Sequence, residues 1–209
     1  MPHNRGMTVT GGLSAHLLCA VPQLLDPNFE RAVILMLEHN REGALGLVLS
    51  DEMPERLENV LDDLEVIWGG DDETLIRKGG PVAPSQGWIL HTTPEWDPTA
   101  QEVLRGVWLT TSLDRIDRGL AVGEEGRFVF LLGYAGWGPH QLEAEIAAGS
   151  WVAVPIGRAA HEEDELPGRV PPQWLFEVPA EELWAKALGA VGIDPARLVG
   201  LPNRDAALH

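Results

Sequence analysis

Short apolar runs bounded by turn-forming residues dominate the sequence. The first three, at residues 16–21, 33–38 and 44–49, are each bounded by Gly, Pro, Asn or Asp, which is the pattern of short, buried β-strands. The second and third runs flank the segment HNREG, so we expect a β-hairpin there. Runs of the same kind predict further strands at residues 75–78, 87–92, 103–110, 127–134, 151–156 and 174–178.

Helical periodicity is confined to fewer segments. One helical face with the spacing i, i+3, i+4, i+7 is formed by Leu57, Val60, Leu61 and Leu64. It predicts a helix whose first turn contains Pro54. Further helices are predicted over residues 113–121, after Gly138 and from Pro179. Strands outnumber helices and do not alternate regularly with them, which favours an α+β fold over a doubly wound parallel sheet.

The size of the chain indicates one domain with its own core. It has 209 residues, of which 44% are apolar, and a chain of this length buries about 70% of its unfolded surface on folding. We expect the domain at 13–199, an exposed or disordered acidic, Pro-rich insertion at 157–172, and flexible tails at 1–12 and 200–209. No apolar run approaches the ~18 residues of a membrane span, so we expect a cytoplasmic protein.

The net charge and the cysteine content of the chain argue against several classes of function. The net charge is −17, from 15 Lys and Arg against 32 Asp and Glu, and the basic residues are scattered. Such a surface repels phosphate backbones, which disfavours direct binding of nucleic acid. The single cysteine, Cys19, excludes an intramolecular disulfide and a zinc site built from several cysteines. It lies in an apolar run, so we expect a buried, inert thiol.

The sequence contains no complete catalytic motif. A G-x-S-x-G nucleophile elbow, a phosphate-binding loop and a paired-histidine metal motif are all absent, and we expect neither a cofactor nor a metal. His39 and His91 end predicted strands, where a side chain that titrates near neutrality could act as acid or base. Each is also explained by a hydrogen bond to the backbone at a strand end. Trp96, in a predicted loop, is the best candidate for an exposed aromatic contact.

Several motifs in a fixed order carry a family resemblance. They are LLCAVPQLLDPNFERAVILMLEHNREGALGLVLS, KGGPV, GWILHT, LTTSLD, LLGYAGWGPHQLEAEI and SWVAVP, followed by WLFEVPAEELWAKALGAVGID. Together they resemble the bacterial YqgE/AlgH family over roughly residues 13–199. No single segment is specific, but their shared order is.

The resemblance implies a fold and a cellular setting. The expected fold is α+β, with a branched, mostly antiparallel sheet that forms a partly closed pseudo-barrel flanked by about four helices. The expected setting is the bacterial cytosol, and one branch of the family carries the label of putative transcriptional regulator. The family has no agreed catalytic residues, so only motif positions can be carried over. His140 stands where a glycine is usual in the family.

These observations favour a non-enzymatic binding or regulatory protein that acts through a protein partner or a small ligand. The candidate binding residues are the motif positions His39, Gly80, Pro81, His91, Tyr134, Trp137, Gln141 and Glu143. The alternative is an unrecognised hydrolase in which His91 or His39 works with Asp26 or Glu143. Direct regulation at DNA is a third hypothesis, which the net charge disfavours.

Overall fold

The computed structural model describes residues 12–24, 26–62, 74–111, 126–157 and 168–199. The strands of these residues are β1 (His16–Ala20), β2 (Val33–Asn40), β3 (Gly43–Val48), β4 (Glu52–Arg56), β5 (Leu75–Lys78), β6 (Val82–His91), β7 (Gln101–Leu104), β8 (Val107–Thr110), β9 (Phe128–Trp137) and β10 (Trp151–Pro155). Their helices are α1 (Leu57–Asp62), α2 (Gln141–Ala147), α3 (Trp174–Glu177), α4 (Ala180–Ala190) and α5 (Pro195–Val199). The predicted hairpin of β2 and β3 is confirmed.

All ten strands belong to one curled sheet that forms a half-barrel. Its main path runs β10-β1-β2-β3-β9-β6-β8-β7, and neighbouring strands on this path are antiparallel. The sheet branches at β9, which also pairs in parallel with β5, and β5 in turn pairs with β4. This architecture confirms the α+β class and the branched, mostly antiparallel sheet.

A close backbone crossing fixes the branch. The Gly79 N–H donates to the carbonyl of Leu132 at 2.7 Å, and the Gly79 carbonyl accepts from the Val48 N–H at 2.8 Å. The next residue, Gly80, has φ 150 and is buried. A Cβ on Gly80 would lie 2.2 Å from the carbonyl carbon of Tyr134. The KGGPV motif is therefore a crossing where two backbones touch, and only glycine fits it.

The sheet separates two apolar clusters because successive side chains of a strand point to opposite faces. Leu17 and Leu35 pack on one face together with Leu183 of α4, and Leu18 packs on the other face with Leu142 of α2. Cys19 belongs to the first cluster and has no exposed surface. Burial raises the pKa of this thiol to about 12, so the thiolate is absent at neutral pH and the prediction of a buried thiol is confirmed.

Three predicted elements differ from the structure. Pro54 lies in β4 and not in a helix. Among the described strands β4 pairs with β5 alone, so it is an edge strand, and an edge tolerates proline. The single strand expected at 103–110 is a hairpin of β7 and β8 that turns between Leu104 and Val107. The strand expected at 174–178 is helix α3, since a short apolar run does not distinguish a buried strand from a buried helix.

Some expectations fall outside the described residues. They include residues 1–11 of the first tail, all of the tail at 200–209, the loop at 69–72, the helix at 113–121 and residues 158–167 of the insertion. At the described end of the insertion, Val170 is fully buried, and its N–H donates to the carbonyl of Pro155 at 3.0 Å. Among the helices that the structure describes, none is long and apolar enough to cross a membrane.

Candidate functional site

An open groove lies at one end of the sheet, where β2 and β9 end and β3 and β6 begin. Its volume is about 370 Å³. The residues that line it are Glu38, Asn40, Glu42, Gly43, Ala44, Leu45, Val82, Tyr134, Gly136 and Trp137. We call this feature the carboxylate groove. Two of its residues, Tyr134 and Trp137, are sequence candidates.

Strand register explains the shape of the groove. Glu38 of β2 pairs with Leu45 of β3, which pairs with Gly136 of β9, so the three form one row across the sheet. Neighbouring strands are about 4.8 Å apart, which places β2 and β9 about 10 Å apart. Gly136 leaves the floor open, since a Cβ there would lie 3.3 Å from the Tyr134 ring and 3.8 Å from Val82.

One wall of the groove is acidic and held in place. The Asn40 side-chain amide donates to the Glu38 carboxylate at 2.5 Å, and the Glu42 backbone N–H donates to Asn40 Oδ1 at 2.7 Å. Asn40 therefore fixes both the Glu38 carboxylate and the turn that carries Glu42. Within the described ranges, neither carboxylate forms a salt bridge.

The opposite wall is apolar. The Tyr134 ring packs edge-on against Trp88, with ring centroids 6.1 Å apart and an interplanar angle of 79°. Val82 leaves 38% of its surface exposed, which is unusual for a large aliphatic residue in a strand. Anionic oxygens thus face an aromatic ring and an exposed aliphatic side chain across an open channel. Such a combination of apolar surface and fixed polar groups is typical of binding sites.

His39 and Glu143 lie on the other face of the sheet, beside α2. His39 Nε2 is 3.1 Å from Glu143 Oε1, whereas His39 Nδ1 is buried and has no hydrogen-bond partner among the described residues. Gly12 covers that atom closely, since a Cβ on Gly12 would lie 2.8 Å from it. A hydrogen bond from its own backbone N–H and a second from His39 hold the pKa of the exposed Glu143 carboxyl below its usual range.

A second carboxylate, that of Glu145, ties α2 to the sheet. Its Oε2 accepts hydrogen bonds from the indole N–H groups of Trp137 at 2.9 Å and Trp151 at 2.8 Å. Its Oε1 accepts from the side-chain amide of Gln141 at 2.9 Å. Trp137 and Trp151 also pack edge-on, 6.0 Å apart, and Phe29 contacts both rings. Gln141 and the indole of Trp137 thus have structural roles here.

Comparisons with known proteins decide the family. The AlgH-like family model matches residues 17–196. The chain belongs to the AlgH-like family. A UPF0301 protein of Myxococcus xanthus is 40% identical over 188 residues, which are 90% of this chain and 95% of the relative. The UPF0301 protein IL2218 of Idiomarina loihiensis is 34% identical over 87% of this chain and 92% of its own length.

Solved structures of other proteins share the fold of this AlgH-like chain. The solution structure of the AlgH protein from Pseudomonas aeruginosa superimposes with a TM-score of 0.68 and 30% identity, over 94% of this chain and 98% of that protein. The crystal structure of protein DIP2367 from Corynebacterium diphtheriae gives a TM-score of 0.67 and covers 93% and 95% of the two chains. At 17% identity, the second likeness shows the fold alone.

His91 lies far from the groove in this AlgH-like fold. It pairs with Phe128 at the start of β9, whereas Trp137 ends that strand. The nine residue steps from Phe128 to Trp137, at about 3.3 Å each, separate the two ends by about 30 Å. His91 has no exposed surface, its Nδ1 is 3.0 Å from the carbonyl of Thr93, and its ring stacks on the half-buried Trp96 at 5.4 Å. It therefore does not converge with Glu143.

The burial of His91 predicts a pH dependence of stability. Burial lowers the pKa of His91 below 6.5, partly opposed by the hydrogen bond to Thr93 and the charge of Asp97. The unfolded chain then binds a proton that the native state excludes, so stability is fully present above pH 6.5 and is lost as the pH falls. The loss is about 1.4 kcal/mol per pH unit between the two pKa values.

His91→Phe, which keeps a ring beside Trp96, tests this dependence. We expect urea unfolding between pH 7 and pH 5 to show a shallower loss of unfolding free energy in the variant than in the wild type. The other histidines contribute equally to both proteins, so the difference isolates His91. Parallel pH profiles would contradict a lowered pKa of His91.

His140 precedes α2 with a left-handed backbone, φ 63, and its side chain makes no capping hydrogen bond. A residue with a Cβ loses about 1 kcal/mol in this conformation, which glycine adopts freely. This is the position at which the family resemblance leads one to expect glycine. We expect His140→Gly to raise the unfolding free energy by about 1 kcal/mol in urea titrations, while His140→Ala, which retains Cβ, gives no such gain.

The remaining residues proposed from the sequence have structural roles or lie at the surface. Gly80 is the buried crossing residue, and the exposed Pro81 precedes Val82 at the mouth of the groove. Asp26 accepts the Asn28 N–H at 2.9 Å and caps a 3-10 turn, so it works in local structure. Within the described ranges, no group of three or more His, Cys, Asp or Glu side chains is arranged to hold a metal ion.

Sequence reasoning missed the acidic wall of the groove. Glu38, Asn40 and Glu42 alternate along the end of β2 and its turn, which places the first two on the same face of the strand. That alternation was the signal in the sequence, but it does not show which face of the sheet the side chains share.

A smaller hollow of about 210 Å³ beside Arg77 was missed as well. There the guanidinium donates to the carbonyl of Leu175 at 3.4 Å and connects β5 to α3.

Proposed function

We propose that this AlgH-like protein is a cytosolic binding or regulatory protein that holds a protein partner or a small ligand in the carboxylate groove. One observation carries the proposal: the groove opposes the carboxylates of Glu38 and Glu42 to the exposed Val82 and the Tyr134 ring. Exposed apolar area gives affinity when it is covered, and fixed carboxylates orient what covers it. The site needs no cofactor for this role.

The same features argue against direct binding of DNA. The net charge of −17 raises the energy of any phosphate backbone that approaches, and the groove itself adds carboxylates at its rim. A regulatory role would then act through a protein or a small molecule rather than through contacts with bases. Salt-dependent gel shifts with this chain alone are expected to show no complex.

The contact between His39 and Glu143 favours a second candidate function, a hydrolase. Its Nε2–Oε1 distance of 3.1 Å resembles a base oriented by a carboxylate. The nitrogen that would accept a proton is Nδ1, however, and Gly12 covers it. Hydrolysis of activated esters that is abolished equally by His39→Gln and Glu143→Gln would support this candidate. We favour the binding role because its surfaces are open.

The binding role is tested by a matched pair of variants. Val82 and Leu75 are aliphatic strand residues with similar exposure, 38% and 40%, at different sites. Val82→Arg fills the groove and neutralises its wall, whereas Leu75→Arg makes the same change elsewhere. We expect affinity capture and thermal-shift screening to show binders that Val82→Arg loses and Leu75→Arg retains. Equal loss, or no loss, in the two variants would contradict the groove as the binding site.

A further inference from the structure

We infer that the occupant of the carboxylate groove is a basic segment of a partner protein, which places an arginine or lysine side chain between Glu38, Glu42 and the Tyr134 ring. This inference rests on the proposed function, since it names the chemistry of the ligand in the same groove. It is carried by the charges, the ring and the spacing of the groove.

The two walls suit a cation with an apolar stem. A guanidinium or ammonium group gains from carboxylates on one side and from an aromatic face within about 6 Å on the other. The groove, of about 370 Å³, has room for such a group above Leu45, between the acidic wall and the Tyr134 ring. Val82 and Leu45 supply aliphatic surface for the stem of the side chain.

The acidic wall is prepared for a cation. Asn40 holds the Glu38 carboxylate through a hydrogen bond of 2.5 Å, so the carboxylate does not have to be ordered on binding. Neither Glu38 nor Glu42 has a cationic partner in the part of the chain that the structure describes. The net charge of −17 also steers a basic partner towards the protein.

The surroundings favour an extended segment over a free small cation. The first residues of β6, 82–86, are all exposed and continue from the apolar wall of the groove. β6 pairs with β9 at Val82 and again from Gly87, and the register shift between the two pairings makes 83–86 a bulge that contains Pro84 and Ala83 at φ 47. Bulges and proline prevent the regular hydrogen bonding of an added strand. The exposed surface of 82–86 instead offers contacts to the residues that flank a basic side chain in a segment, which a free small cation lacks.

The test uses short fluorescein-labelled peptides of defined composition. One contains arginine, leucine and glycine, the second has glutamate for arginine, and the third has glutamine for arginine. Anisotropy gives each affinity, and amide shifts in ¹H–¹⁵N spectra locate the contact. Glu38→Gln/Glu42→Gln removes the acidic wall. The matched control, Glu55→Gln/Glu95→Gln, removes the same charge at two exposed sites elsewhere.

We expect only the arginine peptide to bind, with amide shifts concentrated at Leu45, Val82 and Gly136. The groove double variant should weaken binding about tenfold, as two partly exposed ion pairs are lost, and the control should weaken it less than about twofold. Tyr134→Leu should weaken it about threefold. Equal weakening by groove and control variants would mean unspecific attraction by the net charge and would overturn the inference.

The other outcomes separate the inference from the proposed function. Groove shifts caused by the glutamate or glutamine peptide, but not by the arginine peptide, would overturn a cationic ligand and leave the groove as a binding site. Free arginine amide that binds as tightly as the arginine peptide would replace the protein segment with a small cationic ligand, and this too overturns the inference. Shifts outside the groove for every probe would contradict both proposals.

Discussion

Gly80→Ala is expected to remove about 4 kcal/mol of stability, because the added methyl group would overlap backbone atoms of β9. Native domains have only about 5–15 kcal/mol in total. The new Cβ would lie 2.2 Å from the carbonyl carbon of Tyr134, 2.3 Å from its oxygen and 2.4 Å from the nitrogen of Ala135. These are backbone atoms inside the sheet, so no side chain can move to relieve the contact, and the positive φ adds strain.

Urea unfolding followed by circular dichroism measures this loss, and Gly149→Ala is the matched control. Gly149 also has a positive φ, 81, but no atom of the described residues lies within 4 Å of the position that an added Cβ would occupy. Its replacement should therefore cost about 1 kcal/mol, from backbone strain alone. A Gly80→Ala protein as stable as Gly149→Ala would show that the crossing at β9 is looser than the structure has it.

The second large effect is expected at Glu145. Glu145→Ala leaves the indole N–H groups of Trp137 and Trp151 without their acceptor, although both rings are more than nine-tenths buried. Each unsatisfied buried donor costs about 1–3 kcal/mol. We expect a total loss of about 3 kcal/mol, which lowers the melting temperature of a chain of this length by about 10 °C.

Differential scanning calorimetry and tryptophan fluorescence measure the change at Glu145. Glu143→Ala, two residues earlier on the same helix, is the control, because that exposed carboxylate accepts hydrogen bonds from its own backbone N–H and from His39 and from neither indole. Its melting temperature should stay close to that of the wild type. Glu145→Gln should lie between the two, since its one carbonyl oxygen can still accept from an indole. Equal melting temperatures for all three variants would contradict a structural role for Glu145.

These two predictions distinguish the motif residues that stabilise the fold from those that line the groove. Gly80, Gln141 and Trp137 belong to contacts that hold β9 and α2 in place. Losses of function that follow their replacement would therefore report on folding. The binding role is better tested at Val82, Glu38 and Glu42, whose side chains line the groove and are at least partly accessible.

The sequence was sufficient to predict those strands and helices whose buried residues form a regular pattern along the chain. The alternating or continuous apolar runs of β1, β2, β3 and β9 predicted strands, because burying a strand requires that pattern whatever its neighbours are. The apolar periodicity after Pro179 predicted the amphipathic helix α4, whose exposed face carries an ion pair between Lys186 and Glu182 at 3.0 Å. The order of motifs was enough for the family, which the comparisons confirm.

Only the tertiary structure determines which of these residues are in contact. Glu38 and Tyr134 are almost a hundred residues apart in the chain, and they share a groove only because β3 pairs with both of their strands. The acceptor role of Glu145 likewise depends on two tryptophans from β9 and β10. His91 and Trp137 lie in equally distinct sequence motifs. Nevertheless His91 pairs with the first residue of β9, whereas Trp137 is its last residue. A sequence records which side chains must be buried, whereas strand pairing and register decide which of them touch.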